Sequence, residues 1–202
     1  MTEREKMLSG LLYDPSDREL TDLRQRAFQL VERFNRLQKE DAAAQREILE
    51  ALLGEMGENV TFRAAVRFDY GCNTYIGDNC YFNFNAVFLD CAPIRIGSNV
   101  MVGPGGSFFT ALHPLLAEER NARTGPDGRR YNLEYAKPIT VEDNVWLGGN
   151  LVVNGGVTIG HDTVIGSGSV VTRDIPPGVF AAGVPCRVIR PITEADRMEP
   201  LE

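Results

Sequence analysis

An aliphatic residue recurs at every sixth position toward the C-terminal end of the chain. The series is Val141, Leu147, Val153, Ile159, Ile165 and Val171, and the matching fifth positions are Val145, Leu151, Val157, Thr163, Ser169 and Ile175. Gly, Glu or Asn follows most of the aliphatic residues. Each unit reads as a short strand and a corner, because strand side chains alternate between faces and Gly or Asn accepts the backbone angles of a corner. The repeat therefore predicts a β-helix with its aliphatic side chains pointing inward.

The same period extends upstream, where it is interrupted. It runs through Val60, Val66, Ile76, Phe82, Phe88 and Ile94 and, after a two-residue slip, through Ile96, Val102 and Phe108. It stops near Phe109 and restarts near Ile139. Residues 110–138 are therefore predicted to form a loop ejected from the solenoid, and a loop of this length in a compact domain is usually functional.

The N-terminal residues 1–57 are predicted to be helical. Apolar residues at three- and four-residue intervals indicate an amphipathic helix, and Ser16 with Glu19 predicts a capping box at its start. A second helical stretch ends at Gly54 and Gly57. We expect these helices to cover the open end of the solenoid, which would otherwise expose apolar strand edges. The predicted organisation is a helical segment (1–57), a β-helix with its ejected loop (58–190) and a C-terminal tail (191–202).

Composition narrows the class of protein. The net charge of −7 over 202 residues disfavours a nucleic-acid surface. The N-terminus is charged, and no apolar run is long enough to span a bilayer, so we expect a cytoplasmic protein. The four cysteines show neither CxxC spacing nor the density of a disulfide scaffold and are predicted to be free thiols; they are Cys72, Cys80, Cys91 and Cys186.

An ordered set of segments resembles the maltose and galactoside O-acetyltransferases and the related nodulation acetyltransferase. The segments are EKMLSGLLYDPSD, FDYGCN, YFNFN, LDCAPIRIG, FFTALHP, KPITVEDNVWLGG, GVTIG and SGSVVTRDIPPGVFAAGVPCRVIR. The resemblance runs from about Glu5 to Arg190. It implies a mainly β protein, a left-handed parallel β-helix that assembles as a homotrimer. It also implies transfer of an acetyl group from acetyl-CoA to a hydroxyl of a sugar or glycoside.

Acetyl transfer from a thioester to a hydroxyl needs a base, and histidine suits this task because its unperturbed pKa lies near neutrality. Of the two histidines, His161 lies in a repeat corner and reads as a solvated turn residue. His113 lies where the period breaks and matches the family's catalytic histidine. The resemblance also aligns Glu134 as an orienting acid, although a loop salt bridge is an alternative. It assigns the oxyanion to the backbone N–H of Gly149, which could instead only form a corner.

The acceptor contacts implied by the resemblance are Asn83 and Asp69, and either side chain could instead satisfy a corner hydrogen bond. Asp90, beside a cysteine where the family has an acid, and Asp17, near the position where Pro15 replaces an aspartate, complete the expected acceptor set. These departures disfavour galactoside as the specific acceptor. Residues 124–132 look inserted relative to the family.

Coenzyme A is expected along the C-terminal coils. The matching positions are Gly103, Trp146, Gly149, Ser167, Thr172, Arg173, Arg187 and Arg190. Gly and Ser would keep a groove shallow enough for the pantetheine arm, and arginines can bind phosphate oxygens. The alternative for Arg187 and Arg190 is that they are solvated tail charges.

Three other classes of protein share features with this chain. A zinc hydratase of the γ-carbonic anhydrase type needs three histidine ligands and this chain has two, so no metal is expected. A non-catalytic scaffold has no reason to combine a histidine loop, Gly149 and an arginine tail. Xenobiotic acetyltransferases lack the N-terminal helical segment, which favours the sugar enzymes. With no nucleophile placed beside His113, the acceptor is expected to attack the thioester directly in a ternary complex.

Overall fold

The structure is a computed structural model that describes residues 1–37 and 41–198. Its body is a left-handed β-helix of about six turns. The helices are α1 (Glu3–Leu8), α2 (Arg18–Arg36), α3 (Ala42–Leu52), α4 (Ala117–Arg120) and a 3-10 turn at Glu194–Asp196. The strands are β1 (Glu55–Met56), β2 (Thr61–Phe62), β3 (Val66–Phe68), β4 (Thr74–Ile76), β5 (Tyr81–Phe82), β6 (Ala86–Leu89), β7 (Ile94–Ile96), β8 (Met101–Val102), β9 (Ser107–Phe109), β10 (Ala111–Leu112), β11 (Arg123–Thr124), β12 (Arg130–Tyr131), β13 (Tyr135–Ala136), β14 (Ile139–Val141), β15 (Trp146–Leu147), β16 (Val152–Asn154), β17 (Thr158–Ile159), β18 (Val164–Ile165), β19 (Val170–Val171), β20 (Val179–Ala182) and β21 (Arg187–Pro191).

The solenoid is a three-sided prism. Its first sheet has the order β1-β4-β7-β14-β17, its second sheet β2-β5-β8-β15-β18-β20-β21, and its third sheet β3-β6-β9-β16-β19. The coil strands pair in parallel, and β21 closes the second sheet antiparallel to β20. We call the corner after a first-sheet strand corner A, that after a second-sheet strand corner B, and that after a third-sheet strand corner C.

Coil length explains the interruptions in the hexapeptide period. Early partners lie 20 residues apart, as Thr61 and Tyr81 do, whereas later partners lie 18 apart, as Trp146 and Val164 do. Three six-residue units make a coil of 18. The early coils place their two extra residues at corner C, between Phe68 and Thr74 and again between Leu89 and Ile94.

The inward positions form continuous stacks. Phe62 stacks on Phe82 at 4.3 Å between ring centroids, and Phe88 stacks on Phe108 at 4.9 Å. Further along, the aliphatic series from Val141 to Val171 is fully buried, as are the small fifth positions Thr163 and Ser169. The inward orientation predicted from the period is therefore confirmed.

Corner A repeats one backbone conformation. Its residues have φ between 56° and 59°, a region that Asn and Asp tolerate better than other residues with side chains. Side-chain amides join successive corners through hydrogen bonds of 2.9 to 3.3 Å. The ladder consists of Asn59, Asn79, Asn99, Asn144 and Asp162.

The long helices cover the first coil, as predicted. Phe34 of α2 and Leu49 of α3 belong to the same buried cluster as Phe62 and Val66 of the first coil. The first solenoid strand, β1 at Glu55–Met56, lies just before the predicted boundary at residue 57 and pairs with β4.

The capping box predicted at Ser16 and Glu19 was wrong. Helix α2 begins at Arg18, and the Asp17 carboxylate accepts from the Glu19 amide at 2.9 Å. The Ser16 hydroxyl instead donates to Asp14 at 2.6 Å. A carboxylate one residue nearer the helix supplies the N-cap oxygen in place of the serine.

The ejected loop contains ordered secondary structure. Its first strand, β10, pairs antiparallel with its last strand, β13. Residues 124–132, which look inserted, form most of the β11–β12 hairpin, with Gly128 at φ 78° in the turn. Within the residues that the structure describes, no helix is both long and apolar enough to cross a membrane.

Candidate functional site

The sequence-predicted residues fall into two groups on different parts of the prism. The histidine edge lies at corner C and contains Asp69, Cys91, His113, Glu134 and the N-terminal segment 13–17. The second-sheet groove lies on the outward face of the second sheet and continues to Gly149 and Ser167 at corner B. One chain does not bring the two groups together, because the width of the third sheet separates corner B from corner C.

A small antiparallel sheet organises the histidine edge. In the β10–β13 pair, Ala111 faces Ala136 and Leu112 faces Tyr135. The pairing ends there, and the next residues along the two strands are His113 and Glu134. If the register is continued by one residue, these two lie opposite each other, and opposite residues in an antiparallel pair share a face. On the other side of Glu134, the N-terminal segment adds a bridge through Tyr13, with N–H to O distances of 2.9 and 3.1 Å.

The Glu134 carboxylate has a buried partner. The Tyr13 hydroxyl donates to Glu134 Oε2 at 3.2 Å, and the Tyr13 side chain has no exposed surface. Burial raises the pKa of Tyr13, so the phenol stays protonated and remains a donor. Sequence reasoning missed Tyr13, although its place in the family segment LLYDPSD was a usable signal.

Asp69 and Cys91 meet at corner C. The Cys91 thiol lies 3.6 Å from Asp69 Oδ2 in hydrogen-bonding geometry and is only 4% exposed. Burial raises the pKa of the Cys91 thiol and also the pKa of the half-buried Asp69 carboxyl. The thiol is therefore held in its protonated, weakly nucleophilic form.

The acceptor contact expected of Asp90 is wrong. Its side chain has no exposed surface, and its carboxylate accepts from the amides of Tyr70 and Asn73 and the hydroxyl of Thr74 at 2.8, 3.3 and 3.1 Å. Burial raises the pKa of Asp90 to about 7. Asp90 therefore stabilises the backbone of the longer corner C between Phe68 and Thr74, and its buried carboxylate cannot reach an acceptor. One oxygen of the partly exposed Asp17 carboxylate accepts from the Glu19 amide that it caps, and the acceptor contact of Asp17 stays a prediction.

The second-sheet groove is defined by two cross-strand rows. The register of its strands places large side chains in one outward row and small residues in the next. Trp146 and Met101 are 52% and 53% exposed, so the large row stands clear of the surface. The large row is Tyr81, Met101, Trp146, Val164, Phe180 and Arg190. The small row is Gly103, Gly148, Gly166 and Ala182, with Asn83 at one end and Arg187 at the other.

The glycines of the small row are required by coil stacking. A Cβ at Gly103 would lie 2.7 Å from the Gly149 nitrogen, and one at Gly148 would lie 2.6 Å from the Ser167 nitrogen. Both distances are shorter than van der Waals contact. The predicted reason for glycine at position 103, access for the pantetheine arm, is therefore secondary to the close approach of the next coil.

Gly149 lies in a different environment from Gly148. A Cβ at Gly149 would meet Pro104 at 3.3 to 3.4 Å, which is tight but not forbidden. The Gly149 amide donates to the Ser167 hydroxyl at 3.0 Å. The donor predicted for the oxyanion is thus accessible at the surface but already paired, and a bound acyl oxygen has to share or replace this hydrogen bond.

The remaining cofactor residues divide between groove and edge. Arg190 forms a bidentate pair with Asp196 at 2.6 and 2.8 Å, and this hydrogen bonding lowers the pKa of Asp196 to about 2. Arg187 donates to the carbonyl of Cys186 at 2.7 Å. Thr172 and Arg173 are exposed at corner C, two strands beyond β9, and not in the groove.

Asn83, a predicted acceptor contact, makes a local hydrogen bond. Its amide oxygen accepts from the Phe84 amide at 2.8 Å, which is the corner hydrogen bond of the alternative interpretation.

His161 matches its interpretation as a solvated corner residue. It is exposed at corner A, with Nδ1 2.8 Å from Asp162 Oδ2. This hydrogen bond raises the pKa of His161.

Arg129 was not predicted from the sequence. Its guanidinium donates to Asp14 Oδ2 and Ser16 Oγ, each at 2.6 Å. The position of Arg129 inside the inserted segment was the one signal that marked it out.

Comparison with known proteins agrees with this architecture. Residues 6–57 match the maltose acetyltransferase hexapeptide capping motif, and residues 138–173 match the bacterial transferase hexapeptide (six repeats). The chain is 39% identical to galactoside O-acetyltransferase from Escherichia coli (strain K12) over 98% of this chain and 92% of that protein.

Two solved structures have the same fold. A maltose O-acetyltransferase from Clostridium difficile 630 superposes with a TM-score of 0.89 at 42% identity, over 96% of this chain and 99% of that one. A hexapeptide-repeat-containing acetyltransferase from Vibrio cholerae O1 biovar eltor, complexed with acetyl coenzyme A, superposes with a TM-score of 0.84 at 36% identity, over 96% and 100% of the two chains.

Proposed function

Because this chain belongs to the maltose and galactoside O-acetyltransferase family, and is an acetyl-CoA-dependent O-acetyltransferase, we propose that it acetylates a hydroxyl of a sugar or glycoside with His113 as general base. The observation that carries the proposal is the small sheet at corner C. Its paired residues end at Leu112 and Tyr135, beside an exposed His113 and beside Glu134, whose carboxylate accepts from the buried Tyr13 hydroxyl.

His113 takes the proton of the acceptor hydroxyl as that oxygen attacks the thioester carbonyl. Glu134, opposite it in the register, orients the imidazole and stabilises the imidazolium that forms. Tyr13 holds the Glu134 carboxylate by its hydroxyl and the Glu134 backbone by the bridge. General-base catalysis of this kind contributes roughly 10²–10⁴ in rate.

The tetrahedral oxyanion is assigned to the Gly149 amide. This N–H faces the surface at the end of the groove, and the Ser167 hydroxyl that now accepts from it can rotate away. Acetyl-CoA is assigned to the groove, with its pantetheine arm along the small row beside Trp146 and its phosphates near Arg187. One preorganised backbone donor of this type contributes about 2.7–4 kcal/mol to catalysis.

The complete site is assigned to two chains. His113 and the groove lie on different parts of one prism, so a neighbouring copy has to bring its groove against the histidine edge. A cyclic assembly repeats this contact at every interface, and the homotrimer is the assembly that the family resemblance implies. Thr172 and Arg173, on the same edge as His113, then approach the cofactor bound to the neighbour.

Transfer is proposed to be direct. Cys91 is the cysteine nearest the histidine edge, but it is buried and its thiol is held protonated beside Asp69. An acyl-enzyme on this thiol is therefore disfavoured, and the acceptor attacks acetyl-CoA within a ternary complex. The new C–O bond forms first and gives the tetrahedral oxyanion. The C–S bond then breaks as this oxyanion collapses, and coenzyme A leaves as the thiol with the proton that His113 took from the acceptor hydroxyl.

The N-terminal cap supports the proposed acceptor class. Residues 6–57 match the capping motif of the maltose enzymes, and this segment supplies Tyr13 to the histidine edge. A xenobiotic acceptor is the alternative, and a screen of acetyl-CoA turnover over sugars, glycosides and antibiotics distinguishes the two. Four free thiols in the described chain are compatible with a reducing compartment, and we place the protein in the cytoplasm.

His113→Ala tests the proposal against His161→Ala as the matched control. We expect His113→Ala to lower kcat by about 10² or more with coenzyme A affinity nearly unchanged, and His161→Ala to be silent. Initial-rate plots with both substrates varied should intersect. Equal losses in the two variants would contradict the assignment of the base, and parallel plots would contradict direct transfer.

A further inference from the structure

We propose that Arg129, in the inserted hairpin, is a positioning residue that holds the N-terminal segment 13–16 against Glu134 and thereby keeps Glu134 opposite His113. The inference rests on the proposed function and adds to it a role for the inserted hairpin. It starts from a contact between parts of the chain that lie far apart in sequence. Arg129 binds Asp14 and Ser16 from the tip of a surface ribbon.

The geometry of this contact is specific. One guanidinium nitrogen donates to Asp14 Oδ2 and the other to Ser16 Oγ, each at 2.6 Å. The other Asp14 oxygen accepts from the amide and the hydroxyl of Ser16 at 2.9 and 2.6 Å. Arg129 therefore closes a ring of charge-assisted hydrogen bonds, in the forked geometry that distinguishes arginine from lysine.

The ring differs from an ordinary surface ion pair. The Asp14 side chain is 12% exposed, although the Arg129 side chain is 52% exposed. Burial acts to raise the pKa of Asp14, but hydrogen bonds from Ser16 and Arg129 outweigh it and leave that pKa lowered. The carboxylate is thus charged and directed at the hairpin, so the hairpin has a fixed partner on the N-terminal segment.

The held segment is directly connected to the catalytic pair. Tyr13, the residue before Asp14, makes both backbone hydrogen bonds to Glu134 and donates its hydroxyl to the Glu134 carboxylate. Arg24 of α2 holds the same segment from the other side by donating to the Pro15 carbonyl at 2.6 Å. Loss of Arg129 therefore frees one side of the segment and leaves the α2 contact in place, so we expect a loosened site in a folded protein.

The hairpin also connects to the loop that bears Glu134. Its second strand ends at Tyr131, three residues before Glu134. Arg129 lies with its guanidinium carbon 5.9 Å from the Tyr131 ring centroid. The N-terminal segment and the return strand of the loop are thus joined twice, at Arg129–Asp14 and at Glu134–Tyr13.

The test compares Arg129→Ala and Asp14→Asn with Arg130→Ala, a matched variant that removes an exposed arginine from the adjacent position of the same hairpin. We expect Arg129→Ala to lower acceptor-dependent kcat by about tenfold, because small displacements of catalytic groups have large effects on rate. KM for acetyl-CoA should stay within about twofold, since the Arg129 guanidinium binds Asp14 and Ser16, which are not assigned to the cofactor. Asp14→Asn should behave like Arg129→Ala, and Arg130→Ala like the unmodified protein.

Hydrogen exchange supplies a readout independent of activity. The Tyr13 and Glu134 amides, which donate to each other's carbonyls, should exchange about tenfold faster in Arg129→Ala, and amides of the groove strands should not change. Unchanged exchange at Tyr13 and Glu134 would show that Arg129 does not hold the N-terminal segment against Glu134. Faster exchange with unaltered kcat would overturn the positioning role. Activity that survives in His113→Ala would instead refute the proposed function. The exchange data would still show whether Arg129 holds the N-terminal segment.

Discussion

At the scale of single residues, burial separates acids that the family pattern groups together. Asp69 and Asp90 both lie at corner C and both have a raised pKa because of burial. Asp69 is half-buried and contacts Cys91 at the edge of the site, whereas Asp90 is fully enclosed and accepts three hydrogen bonds from the corner backbone and Thr74. Asp69 can therefore contact an acceptor, whereas Asp90 stabilises the corner.

This difference predicts opposite effects for two conservative substitutions. Asp90→Asn places an amide donor against N–H and O–H donors, so it should reduce the free energy of unfolding by about 1–3 kcal/mol without raising KM for the acceptor. Asp69→Asn should raise that KM and leave stability nearly unchanged. Thermal denaturation and steady-state kinetics measure both, and an Asp90→Asn protein of normal stability would refute the structural role.

The pH dependence of stability has a definite sign at Asp90. The unfolded carboxyl releases its proton near pH 3.9, whereas the folded carboxyl keeps it to about pH 7. Between these values the folded state binds more protons, so the contribution of Asp90 to stability falls as the pH rises and levels off above about 7. Asp90→Asn should remove this component from the stability profile.

At the scale of elements, corner geometry decides which glycines tolerate a side chain. Neighbouring glycines at corner B have different surroundings, since Gly148 touches the backbone of the next coil and Gly149 faces Pro104. The hexapeptide pattern marks both as corner residues and does not distinguish them.

Gly148→Ala should therefore destabilise the protein by about 1–3 kcal/mol, because its Cβ has to displace the backbone at Ser167. Gly149→Ala, the matched control, should change stability by about 1 kcal/mol or less, since its Cβ contacts with Pro104 are tight but are relieved by a small shift of Pro104. Chemical denaturation of the two variants checks this expectation. Equal destabilisation would show that the coils do not approach as closely as the Gly148–Ser167 contact requires.

At the scale of the whole molecule, the proposed function predicts assembly. The proposed base lies at corner C and the proposed cofactor groove on the second sheet, so we expect each site to join two chains, in the trimer that the family resemblance implies. Light scattering should give a particle of three chains. A fully active monomer would contradict both the assembly and the shared site.

Mixed trimers test the same prediction through activity. His113→Ala lacks the base, and Ser167→Trp obstructs the groove, so each protein alone should be nearly inactive. Random assembly of the two chains in equal amounts should restore about a quarter of the sites, because a site is intact where the two variants contribute their unmodified halves. No recovery after dissociation and reassembly would place the whole site in one chain.

The sequence by itself determined the repeat and its consequences. Inward aliphatic positions, corner residues, the helical cap and the ejected loop all follow from periodicity and local backbone preference, which act over a few residues. His113 could be selected for the same reason, because it stands where the period breaks. The interruptions could be located from the sequence, but their cause, coils of 20 residues, appears only when strands are paired.

Only the tertiary structure decided the use of individual polar groups. Asp90 is enclosed because the corner of the preceding coil, from Tyr70 to Thr74, packs on its carboxylate. Gly149 is paired because Ser167 lies one coil away, and Arg129 meets Asp14 across the fold. Burial and hydrogen bonding between distant segments depend on how coils stack and loops fold back. These are non-local properties. A pattern of neighbouring residues can therefore identify a candidate side chain, but it cannot show which distant group that side chain contacts.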